Sequence, residues 1–310
     1  MLSPNPPADV RSRPEPWVLA NEYPATALPA EGDAVFARLV GERTGRVSIE
    51  AGAGASTALR SRELLGAVAT GRMAMANMFG GALVDVESVF ALTSLPFVVE
   101  SIAEARRLYE AAQPSYEDAF ERHHQKLLYA TPWPPSGLWS RAPIGSLAGL
   151  RVRTYDATGT AVFERLGARA RATSFTDLLD RLAEGEIDAA LSSGDGGAGR
   201  RLAETLPHFT AIAYAIPTSF TTVNLDRWRS LDPETRTTLE ECAALTGVHQ
   251  WEALEGRIER NYARLREEGV TIVTEVPSEV RARLRAAGRV AVEAWFARAG
   301  EEERKILERR

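Results

Sequence analysis

Two rhythms of apolar and polar positions alternate along this chain. Trp17 to Asn21 is a short apolar run that predicts a strand, and Asp33 to Glu42 sets Val35, Phe36, Leu39 and Val40 on one helical face. Gly45 ends that helix, as a glycine just past a helix commonly does. Arg46 to Glu50 alternates as a strand. A helix opens at Ala51-Gly52-Ala53-Gly54-Ala55-Ser56-Thr57 and runs to about Thr70, and Met73 to Met78 is a strand followed by Phe79-Gly80-Gly81. An amphipathic helix covers Ile102 to Ala112. The middle of the chain repeats this grammar, with strands at Lys126–Thr131, Leu150–Thr154, Ala168–Ala172 and Ile187–Leu191, and helices at Gly159–Leu166 and Thr176–Glu184. The alternation predicts an α/β fold with mainly parallel sheets, whose ligand positions lie at the carboxyl ends of strands.

One helix near the end is unusually long. Asp232 caps it, Pro233 fits its first turn and Gly269 follows its last. Unbroken, it is about 36 residues and roughly 54 Å long at 1.5 Å per residue. That exceeds a small domain, so it must cross two domains or protrude, with Gly247 and Gly256 each able to admit a bend. Thr271 to Val276 is then a strand and Ser278 to Ala297 a final helix.

Composition narrows the class. A chain of 310 residues suggests about two domains, and 45% apolar with 25% charged residues is ordinary for a soluble globular protein. The net charge of −5, from 37 basic and 42 acidic residues, argues against a general nucleic-acid partner. The single cysteine, Cys242, rules out an intrachain disulfide and a cysteine-based zinc cluster, while leaving an extracytoplasmic location open. No apolar run of about 18 residues spans a membrane. Residues 1–16, polar and interrupted by Pro4, Pro6, Pro7, Pro14 and Pro16, read as a disordered leader without the apolar stretch of a secretory signal.

Most chemical motifs are missing or weak. Gly52-Ala53-Gly54 lacks the third glycine of a dinucleotide fingerprint, with Thr57 in its place, and reads better as a tight turn. No glycine-lysine phosphate loop and no glycine-x-serine-x-glycine elbow occur. Histidines 123, 124, 208 and 249 are scattered, and adjacent His123 and His124 point about 100° apart on a helix, so no metal site is called for. Ser192-Ser193-Gly194-Asp195-Gly196-Gly197, after a strand, offers backbone N–H groups and hydroxyls to an anion or polar ligand; a flexible surface loop is the competing reading. Arg151 and Arg153, two apart on a strand, face one side. Their guanidinium groups suit a carboxylate, or are solvated strand-end charges. Tyr23, Phe79, Trp133, Trp139, Phe175, Tyr214 and Phe220 lie near strand ends, either as core or as the lining of a cleft.

Gly149-Leu150-Arg151-Val152-Arg153, then Leu166-Gly167-Ala168 and Gly185-Glu186-Ile187-Asp188, resemble the substrate-binding subunits of tripartite ATP-independent periplasmic (TRAP) transporters, of the dicarboxylate (DctP-like) type. Supporting pieces, in order, are Ala34–Ala37 before Thr44–Val47, Glu63–Val68 before Gly71, Leu95-Pro96-Phe97, Ala142-Pro143-Ile144, and Val223-Asn224 with Trp228 and Leu231. The resemblance covers roughly residues 17 to 300. It implies a two-domain periplasmic-binding-protein-like α/β fold with an interdomain cleft. The first domain would comprise 17–134 with 217–256 and the second 135–216 with 257–310, joined by strand crossings and by the long helix.

By the same resemblance the protein is not an enzyme and needs no cofactor. It would be periplasmic, with its signal removed, and would deliver a small organic acid to integral-membrane permease subunits. Arg153 matches the arginine that pairs with the ligand carboxylate, and Ser192 stands where an asparagine commonly contacts it. Phe175 matches an aromatic cleft position, Asp156 a polar pocket position, and Tyr23 and Phe79 lie in the closing loops of the first domain. Trp139, Asp195 and Tyr214 complete the expected substrate-binding set. Departures are the uncharged Ser136-Gly137-Leu138-Trp139, where some members place a second arginine, and Phe79, where some place a polar residue. They favour a monocarboxylate with an apolar or aromatic body over a dicarboxylate or sugar acid. The alternative is an α/β enzyme or ligand sensor using the same cleft; the missing nucleophile–base motifs count against the enzyme.

Overall fold

The computed structural model describes residues 16–51 and 58–309. Nearly all of the expected leader, and the 52–57 turn, lie outside the described residues. The chain first lays down β1 (Trp17–Asn21), α1 (Leu28–Arg43), β2 (Ile49–Ala51), α2 (Ser61–Ala69), β3 (Met75–Phe79), α3 (Ile102–Arg122) and β4 (Gln125–Pro132). It then crosses to β5 (Gly137–Ser140), β6 (Arg151–Thr154), α4 (Ala157–Arg165), β7 (Arg169–Ala172), α5 (Phe175–Ala183), β8 (Ala189–Ser192), α6 (Gly196–Ala203) and β9 (His208–Thr210). It returns through β10 (Thr218–Asn224), α7 (Leu225–Ser230) and α8 (Pro233–Glu267), and ends with β11 (Thr271–Val273), α9 (Ser278–Phe296) and α10 (Glu301–Glu308).

Two sheets result, ordered β2-β1-β3-β10-β4 and β11-β9-β5-β8-β6-β7. They are mixed rather than mainly parallel. β10 runs against both β3 and β4, and β5 runs against both β8 and β9. The reason is topological: β5 and β10 enter their sheets from the crossings between lobes, and so run against the strands delivered by helical crossovers. Each sheet is covered on both faces by apolar clusters, giving two α/β lobes.

β10, the sequence TSFTTVN, is wholly buried despite its hydroxyls. Its periodicity gives no apolar alternation, and the strand is stabilised by hydrogen bonds instead: Thr222 Oγ1 donates to Gln125 Oε1 at 2.6 Å, and Trp133 Nε1 donates to Ser219 Oγ at 2.9 Å. Thr221 belongs to a knot around Asp33, whose carboxylate also accepts from Asn21, Asn77 and Tyr129 at 2.7–2.9 Å. Burial outweighs these donors and pushes the Asp33 carboxyl up to about 6.

The long helix is continuous. The Asp232 side chain accepts from Thr235 N at 2.9 Å, and neither Gly247 nor Gly256 interrupts the helix. Leu239, Cys242, Trp251 and Leu254 pack into the first lobe, while Leu265 joins the core of the second. The final helix predicted from the sequence is followed by another, α10, which packs on α3 and places Leu307 in the first-lobe core. The C-terminal stretch assigned by resemblance to the second domain therefore ends against the first. Leu307 and the neighbouring Trp295 have their apolar partners there.

Candidate functional site

The carboxyl ends of β1, β3, β6 and β8 converge between the lobes, as the α/β architecture predicts. Tyr23, Phe79, Arg153, Tyr155, Ser192 and Ser193 come from these ends or just beyond them, and the first turns of α5 and α6 add Phe175 and Ala198. The floor comes from the two crossing segments. Trp133 N donates to Pro217 O at 2.8 Å, Ser136 N to Ala215 O at 2.9 Å, and Tyr214 N to Ser136 O at 2.9 Å, so the outgoing and returning chains are zipped together. Trp133, Ser136 and Pro217 project from this ribbon onto the cavity.

The cavity measures about 40 Å³. At roughly 10–15 Å³ per water on that measure, it admits a few waters or one small molecule. Its walls are mainly aromatic, with Tyr23 4.6 Å from Trp133 and 6.0 Å from Phe175, and Phe79 5.3 Å from Tyr155, between ring centroids. Tyr23 and Phe79 belong to the first lobe and Phe175 to the second, so the two lobes close on each other here.

Arg153 is the charge in this apolar setting, and it is only 4% exposed. Its Nε donates to Thr173 O at 2.8 Å and its Nη1 to Leu191 O at 2.9 Å. Both acceptors are neutral carbonyls, and among the described residues no carboxylate forms an ion pair with it. Burial works to lower its pKa, while the surrounding Tyr23, Tyr155, Glu22 and Asp156 oppose that shift. A guanidinium stays charged under such pressure, and an uncompensated buried charge is strongly unfavourable. The buried Tyr155 hydroxyl, also at the cavity, has Ser136 as its polar neighbour.

Of the residues expected in the substrate-binding set, Arg153, Ser192, Phe175, Phe79 and Tyr23 line the cavity. The others do not. Asp156 caps α4, accepting from Gly159 N at 2.6 Å; its other oxygen has no partner, and burial raises the carboxyl to about 7. Trp139 lies beneath Gly194 and packs on Phe209 at 5.1 Å. Tyr214 is core, beside Phe97 and Phe163. Asp195 is fully buried at the junction of both lobes with α8: it accepts from Leu28 N at 2.6 Å, Arg257 Nε at 2.6 Å and Asn261 Nδ2 at 2.7 Å. Trp133, Ser136, Tyr155, Ser193, Ala198 and Pro217 were missing from the expected set. Trp133 carried a signal, as an aromatic near a strand end; the others become neighbours through the chain's return or as adjoining positions on β6, β8 and α6.

The Ser192–Gly197 loop thus serves two contacts. Its serines face the cavity, while its glycines permit close packing. Gly194 holds φ +66°, and a Cβ there would lie 2.2 Å from the Trp139 indole. Between the lobes, Arg60 of the first meets Asp177 of α5 at 2.5 Å, lowering the pKa of the Asp177 carboxyl.

Two α/β lobes, a zippered crossing and an aromatic-walled cavity between strand ends define a two-lobed solute-binding protein. The profile of the family described as "bacterial extracellular solute-binding protein, family 7" (DctP) matches residues 20–299, and the chain belongs to that family. Its members are binding proteins rather than enzymes. Comparison with curated proteins found no match. Among solved structures, DctP7 of Bordetella pertussis, an extracytoplasmic solute receptor binding pyroglutamic acid, is similar with TM-score 0.89 and 23% identity, over 95% of this chain and 98% of that one. A marine-metagenome TRAP solute-binding protein specific for pyroglutamate has TM-score 0.88 and 23% identity, over 95% and 97%. A TRAP periplasmic solute-binding protein of Desulfovibrio salexigens with bound orotic acid has TM-score 0.84 and 18% identity, over 94% and 96%.

Proposed function

We propose that this protein captures a small monocarboxylate with a compact, largely apolar or flat body and delivers it, outside the cytoplasm, to the membrane subunits of a TRAP transporter. The observation that carries this reading is Arg153: a buried guanidinium at a cavity wall, satisfied by two carbonyls and lacking a carboxylate. A ligand carboxylate completes it with charge-assisted bonds, and the Ser136, Ser192, Ser193 and Tyr155 hydroxyls supply further polar contacts. Tyr23, Phe79, Trp133 and Phe175 sandwich the body of the ligand. The cavity has one cationic anchor and mainly aromatic walls, which disfavours a second carboxylate or the many hydroxyls of a sugar acid. Pyroglutamate and orotate, each bound by some of the structural neighbours, are compact cyclic monocarboxylates.

In this reading the lobes, divided near residues 134 and 216, hinge about the zippered crossing and close over the ligand, held shut by its differential affinity for the closed form. A calorimetric panel of pyroglutamate, orotate, succinate and galacturonate tests it. Binding of a cyclic monocarboxylate with at least tenfold preference over succinate and galacturonate is expected. Tight binding of the latter pair alone would overturn the ligand class.

A further inference from the structure

A second cluster of arginines stands directly outside the cavity. β7 is the edge strand of the second sheet, and it pairs with β6 in parallel register, Arg151 opposite Arg169 and Arg153 opposite Arg171. Residues two apart on a strand share a face, and so do directly paired residues in a parallel ladder. Arg151, Arg153, Arg169 and Arg171 therefore leave the same face of the sheet edge. With Arg181 of α5 they line an open groove.

Two carboxylates answer part of this charge. Asp188 holds Arg151 in a fork at 2.6 and 2.9 Å, and Glu186 holds Arg181 at 2.7 Å. Arg169 and Arg171 are exposed, and among the described residues no acid or hydrogen-bond acceptor meets either guanidinium. Like charges set directly opposite across a strand pair destabilise it, so these side chains contribute nothing evident to the fold. Arg153 lines both the groove and the cavity. Groove and cavity therefore have one guanidinium in common, with the exposed Arg169 and Arg171 close outside it.

We propose that this groove is an outer anion site that captures the carboxylate solute in passing and speeds its delivery to Arg153. The inference rests on the carboxylate reading above. It assigns Arg169 and Arg171 to association rather than to the bound complex: their field reaches about 10 Å at 0.1 M salt, which covers the approach, whereas the completed pair at Arg153 is shielded from solvent. That Arg153 belongs to both linings favours a free solute anion over an acidic protein surface as the occupant.

The test is stopped-flow fluorescence, with Trp133 at the cavity as the reporter. The probe is pyroglutamate, or whichever acid of the panel binds tightest. The natural protein is compared with the double variant Arg169→Gln/Arg171→Gln between about 20 and 500 mM salt. At low salt the variant's association rate is expected to fall about threefold or more, its dissociation rate to stay the same, and its salt dependence to flatten. Both substitutions are on the surface, so unfolding temperatures should match or rise slightly. Equal association rates with equal salt slopes would overturn the proposal, as would a change confined to dissociation. Unchanged solute kinetics together with lost uptake in proteoliposomes would overturn it in favour of an acidic partner surface. No carboxylate binding by the natural protein would overturn the carboxylate reading itself, a result distinct from equal rates.

Discussion

Arg153 and Asp156 show how differently two neighbouring charges are treated. Arg153 keeps its charge against burial and turns it toward the cavity, whereas Asp156 spends one oxygen on the first turn of α4 and leaves the other unpartnered. Asp156→Asn keeps the cap, because asparagine caps as well as aspartate. It should leave ligand affinity within about threefold, a small change on the scale where 1.4 kcal/mol is tenfold; a hundredfold loss in calorimetry would instead place Asp156 against the ligand. The same contrast shows what a sequence discloses. Spacing alone leaves Arg151 and Arg153 alike as solvated strand-end charges or carboxylate partners; the resemblance singles out Arg153, and the fold places it on the cavity wall and Arg151 at the surface on Asp188. Asp156 is misplaced because a polar residue at a strand end serves a helix cap or a pocket with the same pattern. Trp139 and Tyr214 fail for a related reason: an aromatic residue that fills a core and one that lines a cleft are both apolar and both near strand ends.

At the scale of elements, the strongest signals were α8 and the alternating strands and helices of the second lobe. Their caps, turns and periodicities are local. β10 and β5 left no such trace, since a threonine-rich central strand lacks alternation and a four-residue strand after two prolines looks like a loop. Both belong to the crossing, and with them went Ser136 and Pro217, which only the chain's return brings to the cavity. The Ser192–Gly197 loop offers a test at this scale. Gly194→Ala adds a methyl against Trp139 and forces a side chain into left-handed backbone, so it should destabilise the protein by about 2–3 kcal/mol in denaturant unfolding. A neutral result would contradict the packing of loop on indole. The Asp195 junction gives a second test. Asp195→Ala leaves the half-buried Arg257 with Glu31 as its one remaining carboxylate and Leu28 N without its acceptor. It is expected to cost about 3 kcal/mol or more, and unchanged unfolding would show the junction to be dispensable.

For the whole molecule, three buried carboxyls set the pH response. Burial raises Glu22, Asp33 and Asp156 above their ordinary values, Asp33 to about 6 and Asp156 to about 7. Between the unfolded values near 4 and these folded values, the native state holds more protons than the unfolded chain. Their contribution is therefore complete at low pH and is lost as pH rises through the window. The unfolding temperature is expected to fall from about pH 5 to pH 8, and Asp156→Asn should flatten the upper part of that fall. A rise across the same range in a thermal melt would contradict the burial of these groups.

Calorimetry of the best-binding monocarboxylate against the natural protein and Arg153→Ala addresses the capture mechanism at its root. Loss of one partner from a desolvated pair costs about 3–5 kcal/mol, so affinity should drop roughly a hundred- to several thousandfold while the melting curve of the unliganded protein stays cooperative. If the variant binds the acid as tightly as the natural protein does, the cavity holds its solute by some other group, and the account built on that guanidinium is wrong.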